Sequence, residues 1–224
     1  GASTLLSSCS PKQTPLREAG TYYIPELPDK ASAGKEIKVG VIGCGGRGSG
    51  AVKNVFAAAD NVKIVALGDT FADRLEKLRA NIKENYGQEV AEENCFIGFD
   101  SYKNVIDAGV DYVICTAPPV FRPDHFKYAT EKGVHSFLEK PIAVDPKGYR
   151  TVMATASQAK AKNLVVVCGT QRHHQRPYVQ AYEKISQGMI GEITGGNVYW
   201  NQGMLWYKNR EKGWSDMEWM IRDW

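Results

Sequence analysis

The run Ile37-Lys38-Val39-Gly40-Val41-Ile42-Gly43-Cys44-Gly45-Gly46-Arg47-Gly48 constrains the fold of this chain more than any other stretch. A short apolar strand feeds straight into Gly43-x-Gly45-x-x-Gly48, and a helix-like segment follows. A dinucleotide-binding turn has this order. The first glycine allows a tight turn, the second lets backbone approach a pyrophosphate, and the third lets helix and strand pack closely. Amide groups at the helix start then face an anion. The competing reading is an ordinary glycine-rich strand–helix connection.

A second apolar run, Lys63-Ile64-Val65-Ala66-Leu67-Gly68, ends at Asp69, twenty-six positions after Gly43. An acid there accepts hydrogen bonds from the adenosine ribose hydroxyls and repels a 2′-phosphate, so NAD is favoured over NADP. Asp69 also suits a helix cap before Phe71. Arg47 leaves NADP open, because a guanidinium beside the turn can hold a phosphate.

From Lys35 onward, short apolar runs alternate with amphipathic helical stretches. The expected strands are Ile37–Ile42, Lys63–Leu67, Cys95–Ile97, Tyr112–Thr116, His135–Leu138 and Leu164–Cys168. The expected helices are Gly48–Ala59, Ala72–Tyr86, Tyr102–Ala108, Arg122–Lys132 and Pro146–Lys160, the last opened by Asp145-Pro146. Apolar strands without alternation belong to a parallel sheet covered on both faces. The expected fold is therefore α/β, a doubly wound parallel sheet of Rossmann type over residues 35–168. Its ligands would lie at the carboxyl ends of the strands. After Cys168 the pattern changes. A helix over Tyr178–Gln187, a strand over Ile193–Trp200 and an aromatic, charged stretch to Trp224 suggest that an α+β domain begins at residue 169. The remaining length is too short for a substrate domain with its own sheet, so the expectation is a piece of a longer protein or a degenerate remnant.

With 224 residues, 43% of them hydrophobic, the chain is long enough for one full domain and part of another. The net charge of +3 is small and dispersed, which argues against a nucleic-acid partner. No apolar stretch is long enough to span a bilayer. The five cysteines are scattered and form no Cys-x-x-Cys pair, so they read as small apolar fillers. Residues 1–34 read as a flexible leader. Within it, Leu6-Ser7-Ser8-Cys9 resembles a bacterial lipoprotein processing box. That reading makes the leader an export-signal remnant, with a lipid anchor at Cys9 and a periplasmic location. A plain polar leader and a cytoplasmic location are the alternative.

The other informative motif is Val134-His135-Ser136-Phe137-Leu138-Glu139-Lys140-Pro141. It places Glu-Lys-Pro at the carboxyl end of a strand, on the edge where a cofactor should lie. Lys140 can move a proton or supply positive charge. Glu139 can hold Lys140 or a ribose hydroxyl, and Pro141 restricts the backbone. A solvent-facing Glu-Lys pair is the plainer alternative. His173-His174 is not read as a metal site, because adjacent residues seldom face one ion.

Together these motifs resemble the glucose–fructose oxidoreductase/inositol dehydrogenase (Gfo/Idh/MocA) family from about Lys35 to about Trp200. Further marks are Thr116-Ala117-Pro118-Pro119 with His125 beyond it, Gly169-Thr170-Gln171-Arg172, and the run from Ile185 to Ile193. The resemblance implies an NAD(P)-dependent oxidoreductase acting on a sugar or cyclic polyol. Its second domain would be built on an open antiparallel sheet, and the full-length protein would be a homo-oligomer. It implies that Gly43, Cys44, Gly45, Gly46, Arg47 and Gly48 cradle the pyrophosphate and that Asp69 takes the adenosine ribose. It places Pro118 and His125 along the cofactor, Glu139 and the catalytic Lys140 near the nicotinamide, and Gln171 and Arg172 near nicotinamide or substrate. The Asp and His that usually share the acid–base work would fall beyond Trp224. Two other activities stay open: an NAD-dependent glycosidase or lyase acting through transient sugar oxidation, and a non-catalytic nucleotide-binding sensor.

Overall fold

The structure is a computed structural model that describes residues 30, 31 and 34–224. The readings of the leader up to residue 29, Cys9 included, lie outside the described residues. The chain divides into two compact units. Among the described residues, one takes in those from 30 to 170 and 208–224, and the other takes in 171–207.

In the larger unit, six strands form one parallel sheet: β1 (Ile37–Ile42), β2 (Val62–Asp69), β3 (Cys95–Ile97), β4 (Tyr112–Cys115), β5 (His135–Leu138) and β6 (Val166–Cys168). Their order across the sheet is β3-β2-β1-β4-β5-β6, so the winding reverses between β1 and β4. Ligands of such sheets lie outside the carboxyl ends of the strands at that reversal. The register makes this edge concrete. Ile42 is level with Gly68 and Cys115, Cys115 with Leu138, and Leu138 with Cys168. The next residue of each strand or loop therefore stands in one row along the edge. Those residues are Gly43, Asp69, Thr116, Glu139 and Gly169.

The helices of this unit are α1 (Gly46–Ala58), α2 (Ala72–Tyr86), α3 (Ser101–Asp107), α4 (Arg122–Lys132) and α5 (Pro146–Ala161). Alternate residues of β1 feed two cores. Val39 and Val41 pack with Val52 of α1 and with Leu75, Leu78 and Ile82 of α2. Ile42 packs with Val105 of α3, Phe126 of α4 and Val152 of α5. These fully covered side chains are the main stabilising term, at roughly 1.5–3 kcal/mol for each large one. Asp145 caps α5 as its sequence predicts, its Oδ1 accepting the Gly148 N–H at 2.6 Å with Pro146 in the first turn.

Two expectations need correction. The helix after the glycine turn starts at Gly46, two residues earlier than expected, because the turn itself supplies its first residues. Ile193–Trp200, expected as a strand, has no regular structure. A strand exists only through a hydrogen-bonded neighbour, and none of the described residues pairs with it.

The smaller unit opens with a 3₁₀ turn at Gln171–His173, followed by α6 (Arg176–Ser186), close to the helix expected at Tyr178–Gln187. A short helix within the larger unit, α7 (Asp216–Arg222), was not expected. Its Ser215 cap accepts the Glu218 N–H at 3.1 Å. No helix among the described residues is long and apolar enough to cross a membrane.

Candidate functional site

The glycine turn is held from below and open above. Gly43 has φ +95, a conformation that side chains resist, and a Cβ there would lie 2.4 Å from the Ala117 nitrogen. A Cβ on Gly48 would lie 1.9 Å from the Gly43 carbonyl oxygen. That same oxygen accepts the Thr116 hydroxyl at 2.7 Å. Strand, helix and the loop after β4 thus meet at a spacing only glycine permits.

Gly46 is different, since a Cβ there would meet nothing within 4 Å. The first bond of this helix runs from the Ser49 N–H to the Gly45 carbonyl at 2.9 Å. The amides of Gly46, Arg47 and Gly48 come before it and have no intrahelical acceptor. An empty Cβ position at Gly46 beside three unbonded amides at the positive end of a helix suits a diphosphate. The amides of Gly43 and Cys44 are occupied. Gly43 N–H donates to the Gly68 carbonyl at 2.8 Å. Cys44 N–H donates to Asp69 Oδ2 at 2.6 Å, so Cys44 ties the turn to β2 and does not offer its amide to a phosphate.

Asp69 is buried at 7% exposure, and its other oxygen accepts the Phe71 N–H at 2.9 Å. Burial pushes its carboxyl above the ordinary value of 3.8, while the two backbone bonds pull it back. Each oxygen keeps a lone pair, which suits a ribose hydroxyl.

Glu139 stands where β5 ends. Its Oε1 accepts from Arg47 Nε at 2.6 Å, and its Oε2 accepts the Lys140 N–H at 2.8 Å. Glu139 is buried while the Arg47 side chain is 45% exposed. Arg47 therefore bridges the glycine turn to the Glu-Lys-Pro loop, with the rest of its guanidinium at the surface. Lys140 is exposed, and among the described residues its ammonium has no ion-pair partner. The Lys140–Pro141 peptide is cis.

Pro118 is half-buried, with its carbonyl accepting the Phe121 N–H at 3.1 Å. His125 lies inside α4, 6% exposed, stacked on Tyr102 at 4.4 Å and near Phe121 at 6.2 Å. Its Nδ1 has no hydrogen-bond partner, and burial, helped by the Arg122 charge, pushes its pKa down to about 3. In the smaller unit, Arg172 Nε donates to the Tyr178 hydroxyl at 3.1 Å, and its guanidinium lies 4.8 Å from the Trp200 ring centroid. Gln171 opens the 3₁₀ turn beside it.

Three residues were missed in the sequence. Arg122 is 3% exposed and donates to the Ala117 carbonyl at 2.6 Å and to the Pro141 carbonyl. It ties the loop after β4 to the loop that carries Lys140. Gly169 leaves room for Glu139, because a Cβ there would lie 2.9 Å from Oε1. Arg74 of α2 reaches back to the glycine turn, its Nη1 3.9 Å from where a Gly45 Cβ would be. Only Gly169 stood in a quoted motif, and charge alone gave no reason to choose these two arginines from among the chain's 28 Lys and Arg residues.

A family model described as an oxidoreductase family with an NAD-binding Rossmann fold, GFO_IDH_MocA, matches residues 37–168. The scyllo-inositol 2-dehydrogenase (NAD(+)) of Bacillus subtilis is 28% identical over 70% of this chain and 42% of its own length. A glycosyl hydrolase family 109 protein of Solibacter usitatus is 27% identical over 84% of this chain and 43% of its own. Among solved structures, scyllo-inositol dehydrogenase from Lactobacillus casei with bound NAD(H) and scyllo-inositol superposes with a TM-score of 0.58 at 27% identity. It covers 71% of this chain and 44% of that one. The chain thus spans less than half the length of these relatives. The family match runs from the first residue of β1 to the last of β6, and the chain belongs to the Gfo/Idh/MocA family of oxidoreductases.

Proposed function

We propose that this chain carries the coenzyme half of an NAD-dependent oxidoreductase that moves hydride between a nicotinamide and a carbon of a sugar or cyclic polyol. In this reading the amides of Gly45, Gly46, Arg47 and Gly48 hold the diphosphate, and Asp69 accepts from the adenosine ribose. Pro118 lines the nicotinamide side, and His125 supports that loop from within α4. Gln171 and Arg172 are assigned to the substrate side. Bound nicotinamide supplies the hydride acceptor.

As its neutral amine, Lys140 takes the substrate hydroxyl proton while the carbon gives up hydride, and the resulting ammonium returns it in the reverse direction. Glu139 fixes the backbone of Lys140 and is itself fixed by Arg47. Positioning of this kind makes up most of what a protein adds to cofactor chemistry. The observation that carries the reading is the exposed Lys140 side chain, without an ion-pair partner among the described residues, one residue beyond a carboxylate anchored to the glycine turn. The test is Lys140→Ala in the protein that bears this domain. Turnover should fall by at least about a thousandfold with NAD affinity changed less than threefold. Equal losses in both would refute the assignment.

One observation favours a second reading. A glycosyl hydrolase family 109 relative from Shewanella matches 92% of this chain, well past β6, whereas the Bacillus inositol dehydrogenase matches 70%. In that reading Lys140 serves a transient oxidation that permits glycosidic cleavage, and the coenzyme ends as it began. Cleavage of a glycoside without net NADH selects this reading, and stoichiometric NADH from a free polyol selects the first.

A further inference from the structure

The loop that carries Lys140 is held at two points. Among the described residues, two hydrogen bonds fix residues 140–144. The Lys140 N–H donates to Glu139 Oε2 at 2.8 Å, and the Pro141 carbonyl accepts from Arg122 Nη1. The first bond secures the side of the lysine that leaves β5, and the second secures the side beyond it. Glu139 owes its own place to Arg47. The far side depends on Arg122.

Arg122 is 3% exposed and, among the described residues, has no ion-pair partner. Its Nη2 donates to the Ala117 carbonyl at 2.6 Å, and its Nε is buried without a hydrogen-bond partner. A buried cation that no carboxylate neutralises is costly, and an apolar side chain would fill the same space more cheaply. What the charge secures is a pair of carbonyls from two loops, one residue before Pro118 and one residue after Lys140. A planar guanidinium has donors in fixed directions and spans two such acceptors, which a flexible ammonium does poorly. The Ala117 loop is tied in turn to the glycine turn. Its Thr116 hydroxyl donates to the Gly43 carbonyl at 2.7 Å, and the Ala117 N–H donates to the Ile42 carbonyl at 3.1 Å. Two separate routes therefore connect Lys140 to the glycine turn: one through Glu139 and Arg47, the other through Arg122 and Ala117.

We propose that Arg122 is a positioning residue for Lys140. Its guanidinium holds the Pro141 carbonyl to the loop after β4 and so sets where the lysine amine stands beside the coenzyme. This rests on the reading of Lys140 given above and adds a residue that acts through the loop and not on the reacting atoms.

The experiment acetylates the 224-residue chain with acetic anhydride and maps Lys140 by mass spectrometry against the exposed Lys53 and Lys77. It is run without NAD and with NAD at about a hundred times its measured Kd. The proteins are the unchanged chain, Arg122→Lys and Arg122→Met, with calorimetry for NAD affinity and circular dichroism for melting. In the unchanged chain, NAD should slow Lys140 acetylation by about tenfold or more relative to the two reference lysines. Arg122→Lys keeps a buried charge without the fork, so this protection should drop below about threefold while NAD affinity stays within about threefold. Arg122→Met should do the same. A lower melting temperature with Lys140 protection intact would overturn the proposal, since Arg122 would then be structural only. Failure of both variants to fold would overturn it for the same reason. NAD binding that leaves Lys140 of the unchanged chain unprotected would overturn it together with the Lys140 reading. Absence of NAD binding by the unchanged chain would defeat the coenzyme reading as well.

Discussion

Arg47 Nε donates to Glu139 Oε1 at 2.6 Å, joining the first turn of α1 to the end of β5 across ninety-two positions of sequence. Glu139 is buried, and losing Arg47 would strip its carboxylate of this ion-pair partner. Replacing Arg47 by Met should destabilise the chain by about 1–2 kcal/mol. That is less than for a fully buried pair, because the arginine is half exposed. Adding Glu139→Gln should recover most of the loss. Urea unfolding of the two single variants and the double variant measures the coupling, and purely additive losses would contradict it.

Gly169 lacks a side chain because Glu139 occupies the space. Gly169→Ala should cost about 1–3 kcal/mol by forcing the carboxylate aside. In a Glu139→Ala background the same change should be nearly neutral. Thermal melts of the four proteins decide this. A cost that persists without Glu139 would place the constraint in the backbone instead.

His125 makes a pH prediction with a defined sign. Its ordinary pKa is 6.5, and burial lowers it to about 3 in the folded chain. The unfolded chain therefore binds a proton at a pH where the folded chain does not. The stabilisation from the neutral ring is complete above pH 6.5 and is lost as pH falls toward 3. His125→Phe removes this dependence and leaves no ring nitrogen unpaired. Between pH 7 and pH 4 the unchanged chain should lose about 3 kcal/mol more than the variant. Parallel stability–pH curves would show that the ring is protonated in the fold.

What the sequence shows and hides divides along physical lines. The places of the glycine turn, Asp69 and Glu139-Lys140 on the sheet edge were readable because the signals are local. Each sits where an apolar strand gives way to a loop, and register alone brings the ends together. The Arg47–Glu139 bridge was not readable, since pairing across ninety-two residues depends on where side chains point after folding. The same holds for Arg122 spanning two loops, and for Arg222 returning to Asp73 across 149 positions. The Ile193–Trp200 strand failed because an apolar, β-prone run is a strand only with a neighbour. Helix α7 was hidden by its length, too short for periodicity to stand out from its tryptophans.

The proposed coenzyme site puts the diphosphate over Gly46, where a Cβ would meet nothing within 4 Å. Replacing Gly46 by Asp puts a negative charge into that open space, at the end of a helix where negative charge is favourable for folding. The account predicts opposite signs for the two readouts. The melting temperature of Gly46→Asp should hold or rise, by up to about 1 kcal/mol in stability, while calorimetric titration with NAD shows affinity down by at least about a hundredfold. Unchanged NAD affinity in a folded Gly46→Asp chain would contradict it.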